Sequence, residues 1–282
     1  MKLKHHLVNG GRVECEGDVI RLIIPPTTDA AYTDAQLDDY EHALPRRFVN
    51  LPPQRLRLRA RFSHPAGVLK GTAGFGFWNH PFTREGGVIE PPRNAWFFYG
   101  SPESNMQLMR DLPGHGFKAA ALNTPLPPAE GQGMRANLTK AVMRVGNLAL
   151  RLPGISALAL AAARSFVQAS ETVLALDMTQ WHTYELDWLS TDTIFRVDEE
   201  EVLRGPAPAG PLGFVAWVDN YRAVATREGQ YAFSYVEVAE EQWVELRIEN
   251  GEWRMENVGE EGGGWFGVMR RLAARSLPRT CC

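Results

Sequence analysis

The sequence predicts an all-β fold, an antiparallel sandwich of jelly-roll type with one helical insertion and a short C-terminal helix. Three observations predict it. Short runs alternate apolar and polar residues with the period of two that a half-buried strand requires. Loops dense in proline and glycine separate those runs. The chain of 282 residues is 44% hydrophobic and 10% aromatic, with 8 Trp, which is ample apolar surface for a core. All-β sandwiches reach this length as single units, so residues 1–282 are expected to form one domain.

Val13 to Ile24 and Arg55 to Phe62 open the strand series. In the second run Leu56, Leu58, Ala60 and Phe62 share one face and Arg55, Arg57, Arg59 and Arg61 the other, so the leucine face is buried and the guanidiniums meet water or acids. Further strands are expected at Gly71 to Asn79, Arg93 to Gly100, Phe117 to Asn123 and Pro211 to Tyr221. Between Trp181 and Val202, WHTYELDW and TIFRVDEEEV read as a hairpin, with Glu185 and Asp187 as solvated charges on its outer face. YAFSYVEV and WVELRIENGEWRMENV supply closing strands, the latter folding back at an Asn250-Gly251 turn.

Residues 134–170 break the pattern. They are rich in Ala and Leu and divided by Pro153-Gly154, which predicts a helical hairpin insertion. Arg135, Lys140, Arg144, Arg151 and Arg164 give it a basic character, so packing on the sandwich, a lid over a cleft and contact with a membrane surface are the alternatives. Neither half has the ~18–20 uninterrupted apolar residues of a spanning helix. Residues 262–282 read as a helical tail ending in Cys281 and Cys282.

A formal net charge of -3, from 30 basic and 33 acidic residues, provides no field for nucleic acid. The three cysteines, Cys15 and the terminal pair, form no disulfide framework, and the start of the chain has no signal-peptide core, so a cytoplasmic location is expected. The seven histidines show no paired metal spacing, and GTAGFG lacks the Lys-Ser/Thr ending of a phosphate loop, so neither metal nor cofactor is expected.

The run Trp181, His182, Tyr184, Trp188, Val197 and Asp198 resembles a hairpin of family 16 glycoside hydrolases, members of the concanavalin A-like superfamily. SYVEV at Ser234 to Val238 and YTDAQLDDY near the start resemble that family's closing and entry strands. The resemblance implies two stacked antiparallel sheets, one of them curved around a sugar-binding cleft. It also implies a Glu-x-Asp-x-Glu strand, whose alternation places the two main carboxyls about 5 to 5.5 Å apart for a retaining mechanism. The corresponding strand here is RNAWFFYG, where the three positions become Arg93, Ala95 and Phe97, or Asn94, Trp96 and Phe98 in the other register. No carboxylate pair stands in either.

The expected site is therefore an aromatic cleft that binds carbohydrate or an apolar small molecule without catalysis. Its candidate lining is Trp78, His80, Trp96, Phe98, Asn123, Trp217, Asp219 and Tyr221, with Gly74 and Gly76 on the Trp78 face. Two alternatives stay open. One is an enzyme on the same scaffold with relocated acids, Asp219 with Glu90 or Glu103, or one converting a hydrophobic small molecule; the other is a membrane-surface or partner-binding module built on residues 134–170.

Overall fold

A computed structural model describes residues 3–40, 42, 46–81, 92–109, 111–124, 167–225, 231–247 and 254–256. The backbone forms two large antiparallel sheets and one small sheet. In the first, seven strands run in the order β1 (Lys4–Val8), β4 (Asp34–Asp38), β14 (Gly213–Asp219), β6 (Thr72–Trp78), β7 (Asn94–Gly100), β9 (Gly116–Asn123) and β10 (Gln168–Val173). The second runs β13 (Glu200–Pro206), β12 (Asp192–Val197), β11 (His182–Trp188), β5 (Gln54–Phe62), β17 (Gln242–Arg247), β3 (Val19–Ile24) and β2 (Arg12–Glu16), with β18 (Arg254–Glu256) also on β5. The small sheet joins β16 (Tyr231–Tyr235), β15 (Tyr221–Ala225) and β8 (Asn105–Met106).

The period of two builds the core. From the first sheet, Phe75, Phe77, Phe97, Tyr99, Phe117 and Phe214 point inward; from the second come Leu56, Leu58, Phe62, Tyr184, Leu186, Trp188 and Phe195. Their rings interlock across the interface, with centroids 5.0 Å apart for Phe97 and Tyr184, 5.1 Å for Phe75 and Tyr184, and 5.3 Å for Phe77 and Trp188. Tilted and edge-to-face contacts at this spacing are the favoured geometry of aromatic pairs. The described residues are thus an all-β sandwich, as the alternation predicts.

The outer face of the second sheet pairs its arginines with acids. Asp187 accepts from Arg55 and from Arg196 Nη1 (2.8 Å), Glu185 lies 3.2 Å from Arg57 Nε, and Glu245 sits between Arg21 and Arg61. Asp187 is only 3% exposed, so the expectation of a solvated charge is corrected there: the two neighbouring strands, β5 and β12, bring guanidiniums over it. The hairpin motif also gains a structural role. His182 Nδ1 lies 2.6 Å from Asp198 Oδ2, and Asp198 occupies a left-handed turn (φ 49°) whose carboxylate also accepts from Thr183 N.

Several expectations need revision. The run from Val13 to Ile24 is two strands, β2 and β3, paired around a turn at Gly17. β17 and β18 do not fold back on each other; both run antiparallel to β5, end to end along one edge, because Arg247 lies opposite Arg59 and Arg254 opposite Arg57. The proposed Asn250-Gly251 turn lies outside the described residues, as do residues 134–166 of the helical insertion and the 262–282 tail. The end of that insertion is corrected: Gln168 to Ser170 belong to β10, whose backbone pairs with β9 from Gln168↔Asn123 to Val173↔Lys118.

Phe97 is fully buried against three rings of the opposite sheet and its own. Truncation to alanine is expected to cost about 3 to 5 kcal/mol, read as a fall in the urea midpoint with unchanged slope.

Candidate functional site

The outer face of the first sheet is not the polar surface that a solvated sheet carries. Trp217 on β14 and Phe98 on β7 lie opposite Gly74 on either side of β6, and Val215 and Trp96 lie opposite Gly76. A β-carbon at Gly76 would stand 2.4 Å from Ala95 O and 2.6 Å from Trp96 Cα, with φ at 153°, so this position admits only glycine. The neighbouring rings lean over the bare backbone. Trp96 is 5.3 Å from Phe98 and 5.4 Å from Trp217, while Trp78 lies 5.9 Å from Trp96 and 6.3 Å from Trp217, nearly parallel to the latter. They form a second apolar cluster, separate from the core.

One side of this floor is strapped shut. Met106 and Leu108 pack on the cluster, and their segment is held by a buried ion pair on the same face. Lys118 Nζ donates to Glu171 Oε2 (3.0 Å) and to Pro113 O; Glu171 Oε1 accepts from Leu108 N (3.1 Å) and Met109 N (2.8 Å). Trp96, Phe98 and Trp217 are only 7–8% exposed in consequence. The accessible rim lies on the other side, at the half-buried Trp78, His80, His42 and His6.

A polar network backs that rim. On β4 the residues Asp34, Gln36 and Asp38 turn outward, while Ala35 and Leu37 enter the core. Asp38 Oδ2 accepts from Gln36 Nε2 (2.8 Å) and lies 2.6 Å from His42 Nε2. The Tyr40 hydroxyl accepts from Trp78 Nε1 (2.8 Å) and Gln36 Nε2 (3.3 Å), and lies 3.2 Å from His80 Nδ1. His80 stacks on Trp78 at 4.5 Å and His42 on His6 at 4.1 Å. Burial, helped by the charges of Arg46, His42 and His6, lowers the His80 pKa to about 3, so its ring is neutral at neutral pH. Burial and then the Asp38 charge raise Tyr40 well above the usual phenol range. Its φ of 44° places His80 in the left-handed region that non-glycine residues seldom occupy.

At the far end of β14, Asp219 lies directly opposite Asp34. Its Oδ1 accepts from Thr72 Oγ1 (2.7 Å), Thr72 N (3.1 Å) and Tyr221 N (3.0 Å), and Tyr32 donates to Oδ2 (3.2 Å). This acid anchors the sheet end. Asp34 is raised by burial and then by the Asp219 and Asp38 charges; its Oδ1 has no hydrogen-bond partner among the described residues, nor does Asn94 Oδ1 beside Trp78.

The sequence candidates thus divide. Trp78, His80, Trp96, Phe98 and Trp217 come together on one face; Asp219 and Tyr221 close its end, Tyr221 stacking on Phe233 at 5.7 Å. Asn123 is elsewhere: it shares its side of β9 with the core residues Ala119 and Ala121, and bonds Gln168 and Ala209 N. Glu103 pairs with Lys70 in a separate open groove of about 680 Å³, lined also by His64, Tyr235 and Gln242. Glu90 lies outside the described residues. Sequence reading missed Asp34, Gln36, Asp38, Tyr40, His42 and His6, although TDAQLDDYEH sets polar groups at every second position. Among the described residues no cluster of metal-ligating side chains occurs, and no helix is long and apolar enough to cross a membrane.

No protein-family model and no curated protein matches the sequence. Solved structures similar to the fold include a GlcNAcα1-4Gal-releasing endo-β-galactosidase from Clostridium perfringens, at 9% identity and a TM-score of 0.41 over 84% of this chain and 53% of that one. A family 16 endo-glucanase from Bacteroides ovatus is 8% identical at a TM-score of 0.42, over 86% of this chain and 92% of that one. The catalytic domain of an endo-1,3-β-glucanase from Thermotoga petrophila is 9% identical at 0.39, over 83% and 79%. This chain spans about half the length of the first. Likenesses of this size assign no activity.

Burial pushes Asp219 up to about 6 from an ordinary 3.8. The folded chain keeps this proton over a range where the unfolded chain has released it, so the contribution of Asp219 to stability falls as pH rises from about 4 to about 6 and is level above that. A shift of that size corresponds to about 3 kcal/mol. Asp219→Asn removes the dependence and can still meet Tyr32; relative to the natural chain, the variant is expected to gain stability between pH 4 and pH 7 in urea unfolding. An unchanged difference at the two pH values refutes this assignment.

Proposed function

We propose that the outer face of the first sheet binds a saccharide. The observation that carries this reading is the gathering of Trp78, Trp96, Phe98 and Trp217 over the glycine floor, on the side of the sheet that the core does not need. Aromatic faces match the hydrophobic faces of sugar rings, and hydroxyls complete the fit where acceptors border them. His80 lies at the rim, and behind it Tyr40, Gln36 and Asp38 continue the polar network.

Hydrolysis by paired carboxylates has no support on β7, which turns Asn94, Trp96 and Phe98 to this face. Mixed-linkage β-glucan is therefore expected to show no new reducing ends. Binding is read from tryptophan emission during titration with cello- and laminari-oligosaccharides, beside an apolar naphthalene dye. Trp78, the half-exposed indole, is the first contact for an incoming ring, and Trp78→Ala is expected to weaken saccharide binding about tenfold, or about 1.4 kcal/mol. Equal affinity in the variant, or binding of the dye alone, refutes the reading.

A further inference from the structure

We propose that the saccharide site holds one terminal sugar ring and excludes the interior of a chain, and that the strap carrying Met106 and Leu108 sets this limit. The proposal rests on the saccharide reading above and specifies how much of a chain that face takes.

A chain interior fits only a groove that is open on both sides of the bound ring, because the preceding and the following ring need room as well. The register shows what lies on each side. Beside the Trp78 position stand Asn94 on β7 and Leu122 on β9, followed in the next rows by Trp96 and Ala120, and by Phe98 and Lys118. All six are only 2–8% exposed. Towards β14 and β4, Val215, Trp217, Gln36 and Asp38 are buried too. Of the described rings in the cluster only Trp78 is half-buried, and His80 stacks on it at 4.5 Å. The face therefore offers one platform, the Trp78 and His80 stack, and not a row of them.

The cover on the β7 and β9 side is held at several points. Met106 and Leu108 pack on the aromatic cluster. Met106 N donates to Gly114 O (2.7 Å), and β8 pairs with β15 through Asn105↔Val224 and Met106↔Ala225. Further along, Gln107 Nε2 donates to Leu112 O (2.9 Å), and Glu171 accepts from Leu108 N and Met109 N while it holds Lys118 Nζ. Lys118 and Glu171 are both buried, so lifting the strap would strip a buried carboxylate of two donors. A segment tied in this way stays down when a ligand arrives. A ring that has reached Trp78 finds the strap ahead of it, and the rest of the chain leaves over the half-buried His42 and His6.

Cello- and laminari-oligosaccharides of two to six rings, titrated by tryptophan emission, test the limit. The Kd is expected to stay constant within about twofold across each series, because rings beyond the first gain no platform. Long β-glucan is expected to bind protein in proportion to its chain ends, so cutting a given mass into shorter chains raises the amount bound in the same ratio. The double change Met106→Ala with Leu108→Ala uncovers Trp96 and Phe98, and the hexasaccharide is then expected to bind about tenfold more tightly than the disaccharide. Leu108→Ala alone is the milder variant if the double change does not fold, with the same direction expected. A hexasaccharide bound about tenfold more tightly than the disaccharide by the natural chain, or a capacity unchanged by cutting the glucan, overturns the proposal and leaves the saccharide reading standing. Affinities that stay level with chain length in the strap variants overturn the role of the strap. Binding of no saccharide at all overturns both readings.

Discussion

Two missing β-carbons govern the outer face of the first sheet. At Gly74 and Gly76 a side chain would run into the carbonyls of Phe97 and Ala95 on the next strand. The close approach of β6 to β7, and the room for Trp96, Phe98 and Trp217 to lean over the strand between them, have one cause. Glycine in a strand interior normally weakens it, since it loses entropy and packs nothing. Here the loss is local, because β6 also supplies Phe75 and Phe77 to the core, and those rings tie it to Tyr184 and Trp188 of the second sheet. The strand is firm on its inner side and bare on its outer side.

The two sheets satisfy their outer faces in opposite ways. The second sheet lays arginines beside acids, with Arg61 also over the rings of Trp181 and Trp243 at 5.0 and 5.4 Å. Such a face is closed chemically, with charges and π-faces already matched. The first sheet instead keeps rings beneath a strap that depends on the Lys118–Glu171 pair, both partners almost wholly buried. Burying a charge pair costs desolvation that is offset only by good hydrogen bonding. The pair meets that requirement through Pro113 O, Leu108 N and Met109 N, so it fixes where the strap lies and which part of the floor stays open.

How much of this was legible in the sequence varied with burial. Arg55 to Phe62 alternates cleanly, so its faces could be read directly. RNAWFFYG could not be assigned a register, because β7 is buried on both faces and its apolar residues show no alternation. The pairing of Gly76 with Trp96 decides that Asn94, Trp96 and Phe98 face outward. β10 was hidden behind an Ala-rich run that favours helix, and its own sequence, QASETV, is weak in strand formers. β4 was read only as an entry strand. Asp is disfavoured in strands, and nothing local says that Asp34 and Asp38 would be buried, Asp34 within 4.0 Å of His6 on another strand. His6, His42 and His80 meet because β1 pairs with β4 and because Tyr40 bridges β4 to Trp78, contacts that no window of sequence contains.

The acids on this face then differ in what surrounds them. Asp219 has four donors and no access, and it fixes the end of β14 against Thr72 and Tyr32. Asp38 is equally buried, yet one of its partners is a half-exposed imidazole whose other nitrogen is not spent on it. A carboxylate that reaches the surface through a histidine acts by orienting that ring. The acid on β4 is linked to the aromatic floor by hydrogen bonds that run from Asp38 through Gln36 and the Tyr40 hydroxyl to Trp78.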